Sequence, residues 1–191
     1  MDWFFNFPSM GRDNLREFKK SVDFAFTDFT RSYGAEIEGF FEPILMFLVW
    51  FEKFFINTPW PIIMVLIITL AWLGSRSIPV IVGTCVSFLL IGYFGMWEDT
   101  MSTLAIILVA TFLCISIGIP VGIAMARSNK VQTLIVPVLD VMQTIPSFVY
   151  LIPVVMLLGI GKVPGLIAVC IYAIPPIVRL TNLGIRLVDK D

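Results

Sequence analysis

Asp140, Gln143, Thr144, Ser147 and Tyr150 sit close together in a stretch otherwise built mainly from Val, Ile, Leu, Met and Phe, and Arg179 follows in the next apolar run. A carboxylate placed in such surroundings needs a partner, because a charge inside lipid costs a few kcal/mol and faces protein or water. Arg179 is the candidate partner, and the spacing predicts that Asp140 and Arg179 pair across two neighbouring helices. Such a pair holds two helices in register or gates a path between them. Gln143, Thr144 and Ser147 follow Asp140 at steps of three, one and three, which puts them on one face of a helix. With Tyr150 they form a polar stripe facing other helices or a water-filled translocation path.

Other chemistry is excluded residue by residue. The segment GIGK (159–162) resembles part of a phosphate loop, but that loop needs Gly at 156 and Ser or Thr at 163, where this chain has Met156 and Val163. There is no His, and Cys85, Cys114 and Cys170 lie far apart in three apolar runs, where free buried thiols are the reading. No catalytic site, no metal site and no cofactor-binding site is assigned. A net charge of -1 without a basic patch gives no footing for nucleic acid.

The elements that carry these residues are set by lipid. Of 191 residues 58% are hydrophobic and 14% charged, with mean hydropathy +0.93, far from the roughly quarter of charged residues in soluble domains. A bilayer core needs about 20 apolar residues of helix. About five transmembrane helices are expected, at 59–73, 78–94, 101–126, 133–158 and 164–186, which makes the chain an all-α polytopic membrane protein. In the third, Ala110, Cys114, Gly118, Gly122 and Ala126 recur every four residues and form a small-residue face for close helix packing. Pro120 can kink that helix. Pro146 and Pro153 interrupt the fourth backbone ladder, and Pro175 and Pro176 the fifth.

Residues 1–58 form a separate region with nine acids and six bases. Leu15, Phe18, Val22, Phe26, Phe29 and Tyr33 recur at helical spacing, with Asp13 or Asn14 as start cap and Gly34 as stop. Phe40–Ile56 is interrupted by Glu42, Pro43, Glu52 and Lys53, and is read as an amphipathic helix lying in the membrane interface. No cleavable signal peptide is expected: Met1–Pro8 is too short for one, and Arg12–Asp28 is charged. Arg76, Arg127, Lys130, Arg186 and Lys190 fall in one set of loops and only Lys162 in the other. The positive-inside rule therefore puts the first set in the cytoplasm and the N-terminus outside.

The stretch TLAIILVATFLCISIGIPVGIAMARS, then VQTLIVPVLDVMQTIPSFVYLIPVVMLLGIGKVPG and YAIPPIVRLTNLGIRLV, resembles permease subunits of glycine betaine/proline-type ABC importers. The resemblance covers roughly residues 59–191 and implies a type I importer core. It implies a permease homodimer in the bacterial inner membrane, a cytoplasmic ATP-binding subunit that holds ATP and Mg, and an external substrate-binding protein. The cargo it implies is a compatible solute such as glycine betaine, proline or choline. In the family the segment like LGIRLVDKD runs on into a coupling loop with a Glu-Ala-Ala-type motif, whereas the sequence stops at Asp191. A truncated product, a fragment or half of a split permease is the expectation from that departure. Two other readings stand beside transport by an ABC importer: a non-transporting scaffold, and an ion-coupled secondary transporter using Asp140.

Overall fold

The computed structural model describes residues 10–188, and among these every regular element is an α-helix. They are α1 (Arg12–Asn57), α2 (Trp60–Ser75), α3 (Ile78–Tyr93), α4 (Trp97–Arg127), α5 (Asn129–Thr144), α6 (Ser147–Leu158) and α7 (Lys162–Leu187). Lys190, counted above in the basic loop set, and Met1–Pro8 lie outside the described residues.

α4 and α7 are long and apolar enough to cross a membrane as single helices. α1 with α2, and α5 with α6, pass that test only as bent pairs, with bends of 101° and 89°; α3 is a shorter apolar helix. The chain is thus an all-α multi-pass membrane protein, but the run 133–158 is not the single helix its apolarity implied. Pro146 has no N–H to donate to Met142, and it drives Ile145 out of the helical region to φ -80, ψ 126. Pro120, Pro153, Pro175 and Pro176, by contrast, all lie inside continuous helices. Only Pro175 of these is buried against neighbouring helices; Pro120, Pro153 and Pro176 are exposed.

α1 also departs from the sequence reading. It is one helix of 46 residues that runs through Gly34, Gly39 and Pro43, and its N-cap is Gly11 with no side-chain cap, so neither Asp13 nor Asn14 serves. Gly34 does not stop the helix. Its bare Cα faces α6 instead, where an added Cβ would lie 4.0 Å from the Leu157 carbonyl oxygen. Packing of the second half of α1 overrides local stop signals there: Leu48 and Phe55 are buried with Met101, Ala105, Val109, Ala110 and Leu166 of α4 and α7, and with Ile63 of α2.

The most extensive packing is between α4 and α7. Contacts advance together along both helices, Gly118 on Ile177 and then Gly122 on Thr181, so the two run parallel. A second apolar cluster of Met125, Leu139 and Val178 ties the far end of this pair to α5.

Candidate functional site: an ion pair beside a broken helix

The small-residue face is what places α7, and therefore Arg179. Ala110, Cys114, Gly118 and Gly122 are buried, and Ala126 is half-buried at the end of the stripe. A Cβ on Gly122 would sit 2.6 Å from Thr181 Cβ and 2.9 Å from the Val178 carbonyl oxygen, closer than carbon atoms pack. On Gly118 it would meet Ile177 Cγ2 at 2.8 Å. Only glycine permits this separation. Higher up, Cys114 Sγ lies 3.9 Å from the Cys170 carbonyl oxygen, and Cys170 Sγ lies 4.0 Å from that of Ala110. Two thiols distant in sequence are thus neighbours across the same seam.

Arg179 projects from α7 towards α5 and forms an ion pair with Asp140, Nη2 to Oδ1. The structure therefore brings the two charges together. It does not bury them: the side chains keep 41% and 54% of their surface exposed. Among the described residues Arg179 Nε is buried without a partner, so the guanidinium is incompletely satisfied within the chain.

The polar stripe is divided by the break. Asp140, Gln143 and Thr144 are exposed on α5, while Ser147 and Tyr150 belong to α6, turned by 89°. They do not share one helix face, because the 3.6-residue period cannot pass through Ile145–Pro146. Thr144 Oγ1 donates to the Val141 carbonyl at 3.3 Å, and Ser147 is exposed. Tyr150 has a different task. Its hydroxyl lies 2.6 Å from the carbonyl of Met142, the acceptor that Pro146 leaves without a donor, and also reaches that of Ile145. One phenol thus replaces the amide missing at the corner.

Two polar clusters escaped the sequence reading. Glu52 of α1 is buried, accepts from Ser102 Oγ of α4 at 2.6 Å and pairs with Lys162 Nζ at the start of α7. The Lys162 ammonium, and after it the Ser102 hydroxyl, hold this carboxyl below its ordinary range. In the sequence Glu52 interrupts an apolar stretch, and its apolar neighbours Phe51, Phe54 and Phe55 are the sign that it needs a partner. At the opposite end, Arg186 donates from Nη2 to the Met125 carbonyl (3.0 Å) and Asn129 Oδ1 (2.8 Å), and from Nε to the buried Asn182 Oδ1 (3.0 Å). A cation on the last carbonyls of α4 also suits the negative end of that helix. Asn182 and Arg186 stand four apart on one face of α7, a spacing that is visible in the sequence.

These features define a class: a multi-pass helical membrane protein with a glycine-tight pair of parallel helices and a charged pair beside a proline-broken one. Comparison with known proteins makes the class particular. Residues 118–191, which hold the α4–α7 glycines, the break and the ion pair, match the family described as binding-protein-dependent transport system inner membrane component. The chain is similar to betaine-type permeases over most of its length. It is 41% identical over 172 residues to the glycine betaine/proline betaine transport system permease protein of Escherichia coli (strain K12), covering 90% of this chain and 47% of that protein. To the glycine betaine/carnitine transport permease protein of Listeria monocytogenes it is 44% identical over 135 residues, 70% of this chain and 48% of the relative. To the glycine betaine transport system permease protein of Bacillus subtilis it is 42% identical over 120 residues, 63% and 42%. The chain spans less than half the length of these curated relatives.

Proposed function

We propose that the chain is a permease subunit of a binding-protein-dependent ABC importer that moves a compatible solute of the glycine betaine, proline or choline kind across the bacterial inner membrane. It performs no catalysis and holds no cofactor. ATP and Mg belong to a separate cytoplasmic ATP-binding subunit, and an external substrate-binding protein delivers the solute. The functional permease is a homodimer, with the N-terminus of each copy outside.

The half-exposed ion pair carries this reading. Asp140 and Arg179 stand at the surface of the helices with Gln143 and Thr144 beside them, within apolar runs. Hydrocarbon is a costly neighbour for such a patch. A solute path shared with a second copy is not, and a broken helix beside a transport path recurs among membrane transporters. Printed names of the relatives supply the cargo class: betaine, carnitine and choline transport appear among them.

Uptake of labelled glycine betaine by cells lacking their own betaine importers tests it, with the permease expressed beside its ATP-binding and binding-protein partners. ATP-dependent uptake, lost when the ATPase is inactivated, is the expected result. Uptake driven by an imposed ion gradient without ATP would make the chain a secondary transporter. Stable assembly with both partners and no uptake of any betaine would make it a scaffold.

A further inference from the structure

α1 presents two different faces. One is docked: Leu48 and Glu52 are buried against the fold, and Gly34 faces the end of α6. The other runs the length of the helix and is exposed. In the first half it carries Leu15, Phe18, Val22, Phe29 and Tyr33, all exposed. In the second half it continues through Phe40, Phe47 and Phe54, again exposed, with Trp50 stacked between Phe47 (6.2 Å) and Phe54 (6.4 Å). Steps of three, four and seven keep these residues on one stripe of a straight helix. Arg16, Glu17, Lys20 and Arg31 fall away from it.

We infer that this stripe is a lipid-binding surface: α1 lies in the plane of the membrane interface, apolar stripe down, on the side where the N-terminal ends of α4 and α7 open. Three observations choose lipid over a second copy of the chain. The axis of α1 turns 101° from that of α2, the apolar helix that follows it, so the two cannot both run along the bilayer normal. Glu52, through Ser102 and Lys162, pins α1 to the second turn of α4 and the first residue of α7, which puts it near the level where those helices leave the hydrocarbon. The stripe is rich in Phe with Tyr and Trp, residues that settle at the headgroup boundary. Between 12 and 20 it is flanked by four bases and two acids, an excess that suits anionic headgroups. The inference does not depend on what the chain transports.

Single cysteines introduced at Val22, Phe29 and Phe40, and for comparison at Lys20, Thr27 and Arg31, would carry a bimane fluorophore. The background is the full chain with Cys85, Cys114 and Cys170 replaced by Ala, in nanodiscs of phosphatidylethanolamine and phosphatidylglycerol. Quenching by brominated lipid should be about threefold or more stronger at the stripe than on the other flank, as insertion roughly 5–10 Å into the boundary requires. Equal quenching on both flanks overturns the inference. So does a stripe shielded from both bromolipid and aqueous iodide, with excimer formation between pyrene-labelled copies, since a second chain would then cover it. Any variant that fails to give a monodisperse peak is replaced by the next position on the same face, Phe18 or Tyr33 on the stripe and Lys19 or Asp28 off it.

Discussion

Gly122→Ala tests the packing on which the position of Arg179 depends. The added methyl would meet Thr181 Cβ at 2.6 Å, Thr181 Cγ2 at 2.9 Å and the Val178 carbonyl oxygen at 2.9 Å. Carbon atoms pack at about 3.5–4.0 Å, so the helices must part by roughly 1 Å at this turn. No rotamer relieves it: one contact is a β-carbon and another is backbone. Parting loosens Cys114 and Val178, both fully buried on the seam. Overpacking of this kind costs about 1–3 kcal/mol, and the better helix propensity of Ala returns up to ~1 kcal/mol. The net is about 1–2 kcal/mol, or a fall of about 2–8 °C in melting temperature for a chain of this size. Gly83→Ala is the control, since nothing lies within 4 Å of its Cβ position in α3 and only the propensity gain remains. Thermal unfolding in detergent, followed by a thiol-reactive dye that reports opening around Cys114 and Cys170, gives both values. Thr181→Gly should recover part of the Gly122→Ala loss, because it removes two of the three contacts. If Gly122→Ala melts as high as Gly83→Ala, the seam is not closed by glycine and the argument for it fails.

Three further outcomes follow from the same geometry. Asp140→Asn and Arg179→Gln should each reduce uptake, and the exchanged pair Asp140→Arg with Arg179→Asp should recover part of it; additive losses in the double variant would show that the two charges do not act on each other. Tyr150→Phe leaves the Met142 and Ile145 carbonyls at the break without their donor and should cost about 1–3 kcal/mol, read as a lower melting temperature; an unchanged value refutes the corner's dependence on the phenol. Because the folded chain holds Glu52 below its ordinary value of 4.5, its ionised form contributes stability above that pH and loses it as pH falls through the folded value. Glu52→Gln should therefore flatten the acid limb of the stability curve, and an acid limb identical to that of the parent protein contradicts the role given to Lys162 and Ser102.

Periodicity and composition made the helical class legible, and spacing by four made the seam legible before any coordinates. Both rest on local sequence: a stripe of Gly, Ala and Cys has few readings in lipid other than close packing. The pairing of Asp140 with Arg179 was also within reach, because an unpartnered charge in an apolar run demands an answer and only one was at hand. The failures were places where packing outweighs propensity. Gly34 is a stop signal in isolation, but it sits in α1 where α6 approaches, and the helix continues. Pro153, Pro175 and Pro176 looked equivalent to Pro146, and only Pro146 ends a helix. What separates it is Tyr150, eight residues beyond Met142, whose hydroxyl satisfies the corner. Glu52 with Lys162 could not be read from local pattern, since the two are 110 residues apart in sequence.

The parallel course of α4 and α7 explains why the break and the charges occur together. Two parallel neighbours need a connection that returns over their whole length, and from Met125 back to the level of Lys162 that is about 35 Å at 1.5 Å per residue. α5, with 16 residues, rises only ~24 Å. A straight continuation through α6 would overshoot, so the chain turns at Pro146, carries α6 sideways by 89° and closes through Gly159, whose φ of 74 suits no other residue as well. α5 is anchored at one end by Asn129 to Arg186, and by Leu139 against Val178 further along. Asp140 adjoins that second anchor, and Arg179 adjoins Val178. The salt bridge therefore stands just before the corner. A charge pair at that place ties α5 to α7 immediately before the chain turns away into α6.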